Sequence, residues 1–111
     1  MGKRKKDLDS LDALRQTLHA PTLVGSPEES ASHIIQKYEN QSRGYYGGEI
    51  GILKPDGTLD TAILIRMAHI RKNGDVTIQA GAGLKLDSDP LKEAQECQAK
   101  KAGMERAITG A

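Results

Sequence analysis

The stretch Tyr46-Gly47-Gly48-Glu49-Ile50-Gly51-Ile52-Leu53-Lys54-Pro55-Asp56-Gly57-Thr58-Leu59-Asp60-Thr61-Ala62-Ile63-Leu64-Ile65-Arg66 decides the fold. From Tyr45 onward the apolar residues recur with a period of two, the repeat of a strand with one face covered. Three strands are expected, over residues 46–53, 59–70 and 75–81. Pro55-Asp56-Gly57 joins the first two as a three-residue loop. Asn73-Gly74 joins the second and third as a two-residue loop. The result is a three-stranded antiparallel meander.

Upstream of it the period is helical. Leu8, Leu11, Leu14 and Leu18 fall on one side of a helix expected over 7–19, which Pro21 stops. Ser26-Pro27-Glu28-Glu29 opens a second helix, with Ser26 as N-cap and Pro27 in the first helical position. Ala31, Ile34, Ile35 and Tyr38 give it one apolar face. Downstream, Asp89-Pro90 opens a last helix running to about residue 108. Helix, helix, three strands, helix is an α+β order.

Composition narrows the class. The 111 residues contain no Trp, no Phe and three Tyr, so aliphatic side chains must supply nearly all of the hydrophobic driving force. A net charge of +1 gives no whole-chain field for nucleic acid. The basic run Lys3-Arg4-Lys5-Lys6 lacks interleaved aromatics and reads as a solvated, disordered tail over 1–6. No apolar stretch is long enough for a membrane span. The single Cys97 precludes an internal disulfide and suits a reducing, cytoplasmic compartment.

Counting outward from the two loops puts Tyr46 opposite Arg66 and Arg66 opposite Gly81, on the face that also carries Thr77 and Gln79. The other face carries Ile63, Ile65, Met67, Ile78 and Ala80, and with them His69, expected there as a structural histidine. Gly81-Ala82-Gly83 would let backbone N–H groups approach a ligand closely, and an Arg beside them suits a carboxylate. The competing reading is a solvated sheet face with Arg66 in water.

The last helix carries charges where apolar residues belong. Cys97, Met104, Ala107 and Ile108 form one stripe, while Lys92, Gln95, Gln98 and Arg106 lie mostly away from it. Glu93, Glu96 and Lys100 fall on the side of the stripe, where a charge is costly unless it is paired or binds something. Two carboxylates three residues apart make a half-site for magnesium, which often takes one or two carboxylates and completes its shell with water and substrate oxygens. The competing reading is an exposed i,i+4 pair between Glu96 and Lys100.

Four motifs in order, Ser42-Arg43-Gly44-Tyr45-Tyr46-Gly47-Gly48, Leu59-Asp60-Thr61-Ala62-Ile63-Leu64-Ile65-Arg66, Gln79-Ala80-Gly81-Ala82-Gly83 and Ser88-Asp89-Pro90, resemble the C-terminal segments of the chorismate-binding enzymes. That family includes anthranilate synthase component I, aminodeoxychorismate synthase component I, isochorismate and salicylate synthases, and the phenazine-type 2-amino-2-deoxyisochorismate synthases. The resemblance implies that residues 7–111 are the C-terminal part of a larger chorismate-binding α/β sandwich. It implies that Glu93 and Glu96 ligate Mg2+. It implies that Tyr46, Arg66, Gly81, Gly83 and Lys100 contact the substrate, Arg66 and Lys100 through its carboxylates. Residues 21–27 and 89–94 look most like the phenazine-type enzymes. Val24 stands where many members have Ser or Thr, and Glu28 where many have Lys.

The family's first carboxylate pair and its catalytic His lie upstream of what residue 7 matches, so no catalytic residue is assigned here. His19, His33 and His69 lack metal-ligand spacing. The expected activity is Mg-dependent amination of chorismate in the complete enzyme, with a glutamine amidotransferase supplying ammonia and the missing N-terminal portion completing the site. The alternatives are a non-catalytic remnant or accessory subunit, and an isochorismate or salicylate synthase-like member using water. The chain alone is expected to be inactive, and marginally stable or self-associating.

Overall fold

The computed structural model describes residues 2–18 and 21–110. Its element order is α1 (Ser10–Thr17), α2 (Glu28–Tyr38), β1 (Glu49–Leu53), β2 (Leu59–Ile63), β3 (Ala68–Ile70), β4 (Val76–Ile78) and α3 (Pro90–Thr109). The α+β class stands. The three-stranded meander does not: β1 pairs with β2 and β3 with β4, as two separate antiparallel hairpins. The expected second strand is broken at Arg66, which adopts a left-handed φ of 53°. Residues 64–67 are therefore neither β2 nor β3. The Glu49–Ile63 pair ends the first ladder, and Gly47 N–H instead donates to Leu64 C=O at 2.9 Å.

The chain divides into two units. The first combines Met1–Asn40 with Gly48–Ile63. Here α1 begins at a capping box, in which the Asp9 carboxylate accepts from Asp12 N–H at 2.8 Å and Asp12 returns the bond at 3.2 Å. The helix is shorter than expected, and its expected end at His19 lies outside the described residues. The Ser10 hydroxyl donates to the Gly57 carbonyl and ties α1 to the hairpin. Ser26 does not cap α2. Pro27, after a cis peptide bond, is itself the N-cap: its ψ of 143° is extended, and its carbonyl accepts the first helical bond from Ala31 at 3.0 Å.

The second unit combines Gln41–Gly47 with Leu64–Ala111. A turn at 43–46, the β3–β4 hairpin and α3 make it up, and α3 packs on β4. Asp89 caps α3 with bonds from Leu91 N–H (2.9 Å) and Lys92 N–H (3.3 Å), Pro90 follows, and Gly110 closes it in the left-handed conformation.

Both hairpins turn by the same device. Gly57 N–H donates to Lys54 C=O, and Gly74 N–H to Arg71 C=O, each at 2.9 Å. Gly57 (φ 86°) and Gly74 (φ 92°) are left-handed, as the last residue of such a three-residue loop must be. Asp56 accepts from Thr58 N–H at 2.9 Å and Asn73 from Asp75 N–H at 3.1 Å, the same side-chain turn in each.

For the first hairpin this is the expected register, with Lys54 bonded to Thr58. For the second it is a correction. A two-residue Asn73-Gly74 loop needs φ > 0 at both positions, yet Asn73 keeps a negative φ. Arg71, rather than Lys72, therefore faces Asp75, and the pairing runs Ala68↔Ile78, His69↔Thr77, Ile70↔Val76. The slip is one residue, which moves every side chain of the strand to the opposite face.

Among the described residues none is fully buried, and Ile34, Ile50, Ile52, Ile70, Leu84 and Leu91 are each more than half exposed. No helix among them is long and apolar enough to cross a membrane.

Candidate functional site

All seven expected site residues lie in the second unit. Four of them meet. Gly81 is the centre: a Cβ built on it would sit 2.9 Å from the Tyr46 hydroxyl, so only a glycine lets the phenol approach this closely. The Arg43 guanidinium lies over the Tyr46 ring, 5.8 Å from its centre. The Gly81 carbonyl accepts a bond from Lys100 Nζ at 3.0 Å. Lys100 in turn pairs with Glu96 at 2.5 Å, one helical turn back.

The helix supplies this geometry directly. Glu93, Cys97, Lys100, Lys101 and Met104 are half-buried, at the i, i+4, i+7 spacing of one face. Ala107 and Ile108, expected in the same stripe, are exposed. Lys100 is 22% exposed and Glu96 53%, so the pair is a partly covered one. An ammonium has three donors. Two of those on Lys100 are engaged with Gly81 and Glu96, which leaves one for a ligand acceptor.

Arg66, Gly83 and Glu93 are not drawn into this cluster. The expected row of Tyr46, Arg66 and Gly81 fails because Arg66 sits in the break between β2 and β3. Arg66 is exposed, and the structure gives it no hydrogen bond or ion pair among the described residues. Gly83 is exposed, with nothing within 4 Å of where its Cβ would lie. Glu93 stands three residues before Glu96, half-buried.

The metal expectation can be tested on the donor set. Among the described residues no group of three or more His, Cys, Asp or Glu side chains converges. Glu93 and Glu96 alone offer two carboxylates at i, i+3, and Glu96 has one oxygen engaged by Lys100. Magnesium commonly takes one or two protein carboxylates, so the pair fits a partial contribution to such a site.

The register slip creates a second polar feature. His69 leaves the apolar face where it was expected and lies opposite Thr77, beside Arg71 and Gln79. With the Ser42–Tyr46 turn these residues line an open pocket of about 70 Å³. Tyr45 meets His69 edge-on, ring centres 5.1 Å apart, and Gln79 Nε2 reaches the Ser42 carbonyl at 3.4 Å. The sequence does hold the signal for this face. Arg71-Lys72-Asn73-Gly74-Asp75 has the same layout as Lys54-Pro55-Asp56-Gly57-Thr58, a side-chain acceptor and then a glycine at the end of a three-residue loop.

One carboxylate, a half-buried ammonium and a phenol gathered about one glycine make a polar cluster suited to a small anionic substrate. The chain belongs to the chorismate-binding enzyme family, whose model, described as a chorismate binding enzyme, matches residues 1–106. It is 45% identical over 111 residues to the phenazine-specific anthranilate synthase of Pseudomonas chlororaphis, covering 96% of this chain and 17% of that protein. It is 44% identical over 110 residues to the pyocyanine-specific anthranilate synthase component 1 of Pseudomonas aeruginosa, covering 99% and 21%. The anthranilate synthase component 1 of Escherichia coli matches at 43% identity, covering 100% and 21%. The chain thus spans about a fifth of the length of these relatives.

Proposed function

We propose that this chain supplies one wall of a chorismate-utilising site that aminates chorismate in a magnesium-dependent reaction, with a glutamine amidotransferase as ammonia source. The observation that carries the reading is the Tyr46–Gly81–Lys100–Glu96 cluster. It sets a phenol against Gly81 and a cation, paired with a carboxylate, on the Gly81 carbonyl, in a chain of this family. Lys100 keeps one donor for a substrate carboxylate. Tyr46 holds a hydroxyl where a ring substituent could be met, and Arg66, exposed and unengaged, is available for a second carboxylate.

Glu93 and Glu96 are the residues that would hold the metal. Bound there, magnesium would neutralise substrate carboxylates and polarise a departing oxygen. Amination is favoured over addition of water because the relatives named above are anthranilate synthases, two of them phenazine- or pyocyanine-specific.

The test is a replacement. The matching stretch of the Escherichia coli relative is exchanged for residues 1–111, and chorismate loss is followed with magnesium and ammonium. Turnover that disappears in Glu96→Gln supports the proposal. A folded chimera that consumes no chorismate, or one indifferent to Glu96→Gln, refutes it.

A further inference from the structure

The pocket between the Ser42–Tyr46 turn and the β3–β4 face uses none of Arg66, Glu93, Glu96 or Lys100. Its chemistry is one-sided. No lining residue is acidic, while Arg71 and His69 both line it. Its Ser42 and Thr77 hydroxyls already accept from the protein: Ser42 Oγ takes the Gly44 N–H at 3.2 Å, and Thr77 Oγ1 takes Arg71 Nη1 at 2.8 Å. Each hydroxyl hydrogen is therefore left to donate elsewhere. The bond to Thr77 also pins the Arg71 guanidinium against the strand while using one of its five donors. His69 is held edge-on by Tyr45. The walls thus present donors and positive charge to a space wanting an acceptor. That space, open to solvent and about 70 Å³, has room for a small ion.

We propose that this pocket binds a small oxyanion, a carboxylate or a phosphate group, held by Arg71, His69 and the hydroxyls of Ser42 and Thr77. The site is separate from the Lys100 cluster, although Tyr46 borders both. Arg71 provides the charge-assisted bonds. Thr77 fixes the angle at which the guanidinium is offered.

The experiment is a titration of the isotopically labelled 111-residue chain with sodium phosphate and, separately, sodium acetate. Ionic strength is held constant with chloride, and the readout is the backbone amide and Arg Nε–H resonances. Saturable shifts are expected at Gly44, Tyr45, Thr77 and the Arg71 side chain. Arg71→Met should weaken binding at least tenfold, and Glu96→Gln should leave it unchanged. Tighter phosphate assigns a tetrahedral ligand, tighter acetate a carboxylate. Should Arg71→Met not fold, Thr77→Val keeps the side-chain shape and removes the hydroxyl, and is expected to weaken binding several-fold. Shifts that fail to saturate, that chloride reproduces at equal ionic strength, or that survive the folded variants overturn the proposal. An undispersed spectrum overturns it too, since the pocket is built entirely from this chain's own residues.

Discussion

Lys100 has two partners of different kinds, and separating them decides what the residue is for. Removing the ion pair alone, by Glu96→Gln, deletes an i,i+4 interaction whose carboxylate is 53% exposed, worth about 0.3–0.5 kcal/mol. Removing the ammonium, by Lys100→Met, deletes the pair and also the charged bond to the Gly81 carbonyl. Hydrogen bonds to charged groups contribute about 1.5–3 kcal/mol, and a side chain still 22% exposed belongs at the low end. Methionine keeps the apolar stem in place, so little packing is lost. Lys100→Met should therefore cost about 2 kcal/mol, four times or more the cost of Glu96→Gln. The double variant should cost no more than Lys100→Met. Urea unfolding followed by circular dichroism reads this directly: with a slope on the order of 1–2 kcal/mol/M, Lys100→Met shifts the midpoint by about 1 M or more and Glu96→Gln by about 0.3 M. Equal costs for the two single variants would refute the reasoning. They would mean that the pair with Glu96 carries the whole effect and the Gly81 carbonyl none of it.

Two further outcomes follow from the backbone and the turns. Arg66 holds a left-handed φ of 53°, a conformation that costs a residue with a Cβ about 1 kcal/mol or more; Arg66→Gly should stabilise the chain by about that amount and Arg66→Ala should not, and equal midpoints for the two would show that the strain is absent. The Asp56 carboxyl is held below its ordinary value of 3.8, chiefly by the bond from the Thr58 backbone N–H. Its contribution to the β1–β2 turn is thus complete above that value and is lost as pH falls below it through the folded-state value. Asp56→Asn keeps the acceptor without the titration, so the acid-induced loss seen at the Thr58 amide by NMR should be weaker in that variant.

What the sequence made legible follows from how local each signal is. A helix carries its own register, because 3.6 residues per turn fixes which side chains share a face whatever lies next to it. Asp89-Pro90 therefore locates the start of α3, and of the side expected to be covered Glu93, Cys97, Lys100 and Met104 are half-buried while Glu96, Ala107 and Ile108 are exposed. A strand carries only a period of two, and its partner sets the register. Lys54-Pro55-Asp56-Gly57-Thr58 was readable because proline marks the loop's first residue. Asn73-Gly74 fits two turns equally well by composition, and only the negative φ of Asn73 selects the longer one. That single angle moves His69 from the apolar face to the polar one and brings Arg71 beside Thr77. The break at Arg66 leaves no mark in the pattern, since apolar residues run up to it on both sides, through Ile63, Leu64 and Ile65 and on through Met67 and Ala68.

Gly81 ties the two halves of the cluster together through opposite requirements. Its missing Cβ is what admits the Tyr46 hydroxyl, and its carbonyl is what directs Lys100. Neither contact belongs to an element that fixes Gly81 by itself, for β4 ends at Ile78 and α3 begins at Pro90. The residue is held instead from its neighbours' side: Gln79 reaches the turn that carries Tyr46, and Lys100 reaches in from the helix. Tyrosine and lysine positions are then coupled through one backbone unit, although the two side chains come from segments more than fifty residues apart in the chain. A ligand that draws Lys100 away from the carbonyl loosens the segment facing Tyr46, whereas one that uses only the third donor of Lys100 leaves both in place. The second course requires no rearrangement, so the arrangement favours a ligand that adds to the Lys100–Gly81 bond over one that replaces it.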